Sequence, residues 1–570
     1  MERLRPLVAF LPLVVCALTP PAAAQQADLL LTGARIWTGD SARPTAQAVA
    51  IRGDRILAVG SDAELAPLRG AGTRVLDLAG RFVTPGLIDN HTHFGQAGAL
   101  LLGANLLDVA NPAGLIRRVR EARDRLPAGA WIVGGDWGAY EAWAMSSTGR
   151  DDPGGTRVAF APHRAMIDSL TPDTPALLSK WDRSQYLANG RALELAGAGC
   201  GWEGVECERG TPTGRLTPAA AARLRGVIPP KPMAQRLAEA RVALTQLREY
   251  GVTTIHDNTS AEQMEVYQDL RRRGELTVRV YARPTLDRVD DLRRVGIRHG
   301  YGDEWIRIGG LKGFVDGIMG NSSARFYEPY RTSGRLGEWR AMMNPPGNML
   351  RLLFAADSGG HWPQVHAIGD HGIDTLLTLF ETVVRSNGPK ERRWRLIHTQ
   401  VIRGPEVAGR MARLGIIAEV QPYHAIDDMR WMEERIGERS RWAYAFRTLE
   451  QAGVRLSFGS DWPGTNAAWY PADPLKGMYA ATTRQTLDGT PEGGWFPEER
   501  VGLETALRAY TVNNAWAAGE EGLKGRVAPG LLADLAVWDQ DPFAGRPQTL
   551  KDRRIVLTLL GGRIVHDAME

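Results

Sequence analysis

What this chain lacks bounds it before any motif is read. Beyond its first two dozen residues it has no apolar run long enough to cross a bilayer. Neither sign of charge dominates: 69 Lys and Arg face 65 Asp and Glu, for +4 at pH 7. That balance leaves no basic footprint for nucleic acid. Three cysteines in 570 residues exclude a disulfide scaffold, and no repeat or low-complexity tract occurs. Lysine is scarce, at seven residues against 62 arginines. With 44% hydrophobic and 24% charged residues the composition is that of a folded globular protein. At roughly 150 residues per domain the length suggests two to four domains.

The first 24 residues read as a secretory signal peptide. Arg3 and Arg5 form a positive start, Leu7 to Leu18 is a short apolar run, and Ala22-Ala23-Ala24 offers a small-residue cleavage site before Gln25. The alternative is an uncleaved anchor; Val14-Val15 before Cys16 does not suit lipid attachment. The expectation is export to a periplasm or beyond, with no membrane attachment after cleavage. In an oxidising compartment the two remaining cysteines, Cys200 and Cys207, are expected to be bridged.

The chain's two ends both read as short strands. Asp28 to Trp37 alternates, Ala48–Arg52 meets Arg55–Val59 across Gly53-Asp54, and Thr73–Leu78 follows. Ala533–Trp538, Ile555–Leu560 and Arg563–His566 close the sequence. One β-sandwich composed of residues 25–82 and 525–570 is expected. Between them, strands alternate with helical stretches, the pattern of a parallel α/β fold. Eight strand candidates end in polar residues: Leu87–His93, Val252–Asp257, Thr277–Arg283, Ile306–Asp316, Pro363–Asp370, Arg395–Gln400, Ile416–Gln421 and Arg455–Asp461. Eight is the number of a TIM-type (β/α)8 barrel, here residues 83–97 and 246–524, with its site at the strands' C-terminal ends. Residues 98–245 are too many for one crossover. They are expected to form an inserted lid, whose Trp131, Trp137, Trp143 and Trp181 suggest an apolar or aromatic substrate group.

Within Thr84-Pro-Gly-Leu-Ile-Asp-Asn-His-Thr-His, His91 and His93 stand two apart after an apolar strand. Residues two apart share a strand face, so both imidazoles can reach one metal ion. His366 and His398 end later strand candidates, and Asp461 ends the last one, where a carboxylate can bind metal and take a proton from water. Lys312 lies in a Gly-rich apolar strand of a chain that prefers arginine. A desolvated lysine can lose its proton, and a neutral amine can take up CO2 to become a metal-bridging carbamate. The alternative for Lys312 is an ion pair with Asp316 or another acid. Asn321, Gln421, Tyr423 and His424 are lesser candidates for substrate contacts, with packing as the alternative, and His256 at a strand end has no assigned role.

These residues together resemble the amidohydrolase superfamily, specifically amidohydrolase family 3 and its N-substituted formamide deformylase-like branch. The matching segments include Thr84–His93, Thr213-Gly-Arg-Leu, Gly251-Val-Thr-Thr-Ile-His-Asp, Lys312–Ala324, Val365-His-Ala-Ile-Gly-Asp, Gln421-Pro, Phe458-Gly-Ser-Asp-Trp-Pro, Tyr510-Thr and Gly530-Leu-Leu-Ala-Asp. The resemblance implies a metal-dependent barrel with a composite sandwich and an insertion. It further implies that His91, His93 and Asp461 hold a first metal, His366 and His398 a second, and carboxylated Lys312 (N6-carboxylysine) the bridge. The family usually has Glu before the last ligand histidine, where this chain has Ile397. An Asp-Gly-His motif of the insertion stands here as Asp182-Arg-Ser184.

The resulting expectation is hydrolysis of an amide, N-formyl or N-acyl C–N bond by a metal-activated water. One or two divalent ions are expected, zinc first, with a small-molecule amide substrate and Asp461 as the proton carrier. The sequence leaves the oligomeric state open. The rival readings are an ester or lactone hydrolase or isomerase on the same centre, and a non-catalytic binding protein that keeps the barrel.

Overall fold

The computed structural model describes residues 26–107, 109, 111–138, 161–465 and 468–569. The expected signal segment and Trp143 lie outside the described residues. No helix among the described residues is long and apolar enough to cross a membrane.

The central strands are β1 (Leu87–Thr92), β2 (Val252–Asn258), β3 (Arg279–Arg283), β4 (Ile306–Ile308, resumed at Leu311–Phe314), β5 (Pro363–Ala367), β6 (Arg395–His398), β7 (Ile417–Val420) and β8 (Leu456–Phe458). All pair in parallel with their neighbours. β4 is read in sequence as one strand but breaks at Gly309-Gly310; a Cβ on Gly309 would lie 2.2 Å from the Tyr281 ring. Its first half pairs with β3 and its second with β5, and Lys312 N–H still donates to Pro284 O at 2.9 Å. Between β8 and β1, Asp461 N–H donates to His91 O at 2.9 Å and His93 N–H to Trp462 O at 2.8 Å. The strands thus run round into a TIM-type barrel. The expected strand Pro363–Asp370 ends at Ala367, and Asp370 instead opens the helix Asp370–Asn387.

That helix shows how the outside is packed. Ile373, Leu376, Leu377, Phe380 and Val383 recur at helical spacing and are fully buried against the sheet. Each such side chain contributes roughly 1.5–3 kcal/mol of burial. The barrel interior is different. Where branched aliphatics usually fill it, this one holds Tyr281, Arg283, His256, Gln364, Arg395 and Glu419, all buried.

Asp28–Trp37, expected as one strand, is two, Leu29–Thr32 and Arg35–Trp37, in different sheets. The first sheet uses only N-terminal strands. The second joins Arg563–Asp567, Ile555–Leu560 and Leu535–Trp538 edge to edge with Phe82–Pro85, Arg35–Trp37 and Thr45–Ala46, Leu535–Trp538 pairing with Phe82–Pro85. Buried residues from both chain ends, among them Leu31, Ile36, Val83, Leu535, Val537 and Leu557, share one core.

The insertion has its own sheet, in the order Val205–Glu208, Thr211–Leu216, Tyr186–Ala188, Ala176–Lys180, Ile132–Trp137. Cys200 and Cys207 are joined there by a disulfide. The helix Met233–Glu249, placed with the insertion by sequence, buries Leu237, Ala240, Leu244 and Leu247 against the β1 and β2 side of the barrel. Trp137 is a buried core residue of the insertion, not a substrate wall.

Candidate metal centre

At the C-terminal ends of the strands, His91 in the first strand, His93 just past its end and the Asp461 carboxylate converge. Asp461 Oδ1 lies 3.3 Å from His91 Nε2 and 3.1 Å from His93 Nε2. The Asn258 amide nitrogen sits 3.1 and 3.2 Å from the same two ring nitrogens. Asp89, two residues before His91 on the same strand face, ties the two strand ends together. Its carboxylate accepts from His91 N–H at 3.0 Å, Ser460 N–H at 2.9 Å and the Ser460 hydroxyl at 2.5 Å.

Three of the imidazoles have one nitrogen committed, which leaves the other for a ligand. His91 Nδ1 faces Glu419 Oε1 at 2.8 Å, leaving Nε2. His398 Nδ1 faces Gln421 Oε1 at 2.7 Å, leaving Nε2. His366 Nε2 donates to Gly317 O at 2.9 Å, leaving Nδ1. Asp316 is not paired with Lys312. Its carboxylate accepts from the backbone N–H groups of Arg325, Ile368 and Gly369 and lies 3.5 Å from His366 Nε2.

His398 sits where simple alternation would turn it away. Arg395 points into the barrel and Leu396 into the outer core. A residue two after Leu396 should also face out. Its φ of +73°, with +43° at Thr399, swings the ring inward, and Asp461 likewise has φ +61°. Left-handed backbone at non-glycine residues costs of order 1–3 kcal/mol each and clusters at functional sites.

Burial first, and the nearby Lys312 second, hold His91 well below its usual range, and burial also pushes His366 down to about 3. Burial opposes ionisation of Asp461, but the His91 and His93 rings outweigh it and hold the carboxyl well below its usual range. Neutral imidazoles and an ionised carboxylate are the forms a divalent cation requires. Burial, then Arg283, pushes Lys312 down to about 7. Among the described residues its Nζ has no ion-pair partner, and it stands 4.7 Å from the Phe314 ring centroid.

Beneath this layer Glu419 accepts from Arg283 at 2.7 Å and from Arg395 at 2.9 Å, besides its contact with His91. Arg395 also donates to His256 Nδ1 at 2.8 Å, so His256 belongs to this lower layer rather than to the ligand set. Ile397, where the resemblance calls for glutamate, is the register partner of Glu419 on the adjacent strand. The carboxylate therefore enters from β7 instead of β6. Sequence reading missed Glu419, Arg283, Arg395 and Asn258. The available signal was spacing: Glu419 lies two before Gln421, and Asn258 two after His256.

A cavity of about 250 Å3 opens above, walled by His91, His93, Lys312, His366, His398, His424 and Asp461. Its further walls include Phe314, Met319, Arg340, Asp427, Trp431 and Tyr470. Of the expected substrate contacts only His424 reaches it. Gln421 is spent on His398, Tyr423 is packed in the outer core, and Asn321 is exposed and accepts from Ser323. The aromatic wall comes from Phe314, Trp431 and Tyr470, not from the insertion's tryptophans. Among the described residues none of 98–245 lines the cavity.

The donor set fits a divalent cation. Ligand atoms of His91, His93 and Asp461 lie within 4.8 Å of one another, as do those of His398, His424 and Asp461. Asn258 Oδ1 and His424 Nε2 are buried there without a hydrogen-bond partner.

Comparison with known proteins agrees. The sequence profile of the amidohydrolase family matches residues 74–566. The chain is 32% identical to Protein LONG AFTER FAR-RED 3 of Arabidopsis thaliana, over 94% of this chain and 92% of that one. It is 28% identical to an N-substituted formamide deformylase of Arthrobacter pascens, over 94% and 98% of the two chains. The crystal structure of an uncharacterized metal-dependent hydrolase from Pyrococcus furiosus superposes with a TM-score of 0.71 at 25% identity, covering 90% of this chain and 99% of that one. A barrel, a composite sandwich, convergent imidazoles and a profile match across most of the sequence agree: this chain belongs to the amidohydrolase family.

Proposed function

We propose that this metal-dependent family member hydrolyses a C–N bond of a small amide, an N-formyl or N-acyl amine, after export through its N-terminal segment. The observation that carries the reading is the meeting of His91, His93, His366, His398 and Asp461 with the buried, unpaired Lys312 in one cavity. His91, His93 and Asp461 would hold one ion, and His366 and His398 would serve a second. Zinc suits such nitrogen and oxygen ligands. When bound, the metal supplies Lewis acidity toward the carbonyl oxygen and acidifies water.

Lys312, as a neutral amine, could add CO2 and release a proton, and the resulting carbamate would supply an anionic oxygen ligand to the centre. Asp461 takes the proton of the attacking water and carries it to the leaving nitrogen. Phe314, Trp431 and Tyr470 receive the apolar substituent on that nitrogen. The formamide deformylase among the relatives supports the N-formyl choice. The test is a screen of metal-replete protein against N-formyl and N-acyl amines and their matched esters. Faster turnover of the esters at equal leaving-group structure would make it an esterase.

A further inference from the structure

His424 is the one expected substrate contact that reaches the cavity, and it stands there beside His398 and Asp461. It is the third residue of the helix Pro422–Ile436, directly after β7, so the turn that gives Gln421 to His398 also delivers this ring to the cavity. It is 4% exposed. Tyr470 packs on one side at 4.0 Å between ring centroids and His398 lies stacked at 6.1 Å, which fixes its plane. Its Nε2 is buried at the cavity without a hydrogen-bond partner, so in the Nδ1–H tautomer its lone pair is open to a ligand.

That nitrogen faces Asp461 Oδ2, at 3.8 Å, while Oδ1 of the same carboxylate faces His91 and His93. The two oxygens of Asp461 thus address two separate sets of imidazoles. Ligand atoms of His398, His424 and Asp461 all lie within 4.8 Å of one another, a spacing that one cation can satisfy.

We propose that His424 is a metal ligand, which together with His398 would hold the second ion of the centre on the side that faces Asp461 Oδ2. This rests on the reading of the site as a metal centre and adds a ligand to the set that the resemblance implies.

The test is metal binding, read without turnover. Metal-free full-length protein, with or without its leader, is titrated with Zn(II) against a chromogenic chelator, and separately with Co(II) while the visible absorption is followed. Wild-type protein is expected to take up two equivalents. His424→Gln, close in volume, is expected to keep the tighter equivalent and weaken the other at least tenfold, with a changed Co(II) spectrum. Two equivalents of undiminished affinity in His424→Gln, with an unchanged spectrum, would overturn the proposal and leave the metal centre standing. No metal uptake by wild-type protein would overturn the underlying reading instead. Anomalous diffraction on zinc-loaded wild-type crystals answers even if the variant fails to fold. Nε2 of His424 within about 2.0–2.1 Å of a zinc ion supports the ligand, and a ring turned from both ions refutes it.

Discussion

Replacing Glu419 by alanine takes one carboxylate from between two guanidiniums and an imidazole, in a place where none of these side chains is more than 1% exposed. Three contacts of 2.7, 2.8 and 2.9 Å disappear together. Arg283 and Arg395 are left as buried charges without their shared acid. Cutting a buried pair from one side costs about 3–5 kcal/mol, and that is the destabilisation expected of Glu419→Ala in metal-free protein. The triple variant Glu419→Leu/Arg283→Met/Arg395→Met removes all three charges and should recover most of this loss, because an apolar replacement of a buried ion cluster is often neutral. It should not recover metal binding. His91 would still lack the acceptor for Nδ1–H that keeps Nε2 turned to the ligand, and loss of such a partner weakens metal affinity about 10–100-fold. Urea unfolding of metal-free protein reads the first effect, and chelator competition reads the second. A Glu419→Ala protein with unchanged stability and affinity would refute the reasoning. So would a triple variant that binds zinc as tightly as wild type, since Glu419 would then be structural ballast.

Asp461→Asn should keep the circular dichroism of the native fold while turnover falls about 10²–10⁴-fold; near-normal turnover would place the proton carrier elsewhere. Lys312→Arg should lose metal and activity, since a guanidinium offers no amine for CO2, whereas Lys312→Ala should regain some activity with short carboxylic acids. An active arginine variant with no acid rescue of the alanine one would restore the plain-cation role. Metal uptake should fall as pH drops through about 7, where burial has pushed Lys312, because the ammonium form cannot add CO2 while the neutral amine above that pH can. Equal uptake at pH 5.5 and 8 would contradict this.

Much of this arrangement was legible in sequence because period-two patterning reports directly on which residues share a strand face. The pairing of His91 with His93 and the hairpin across Gly53-Asp54 follow from that rule, while the eight barrel strands follow from segments that end in polar residues and alternate with helical stretches. The rule fails where the backbone departs from regular strand. The inward turn of His398 depends on a positive φ that nothing in Leu396-Ile-His-Thr announces. Glu419, although two before Gln421, was passed over for another reason. In Ile416-Ile-Ala-Glu-Val it looks like a solvent-facing residue of a half-buried strand, and only ring closure brings it against Arg283 and Arg395 from two other strands. The cavity's aromatic side was misplaced because tryptophans of the insertion are large enough to fill its own core, as Trp137 does. Phe314, Trp431 and Tyr470, scattered over more than 150 residues of sequence, meet only in the folded barrel.

The most direct test of the proposed metal-dependent C–N hydrolysis is one paired assay. Protein stripped by chelator and the same protein reloaded with zinc are given an N-formyl amine and its matched formate ester, with released formate and bound metal measured on the same samples. The account calls for amide hydrolysis that disappears on stripping and returns in proportion to the zinc regained. Formate release from the amide that persists in metal-free protein, or a fully zinc-loaded protein that turns over only the ester, would contradict it.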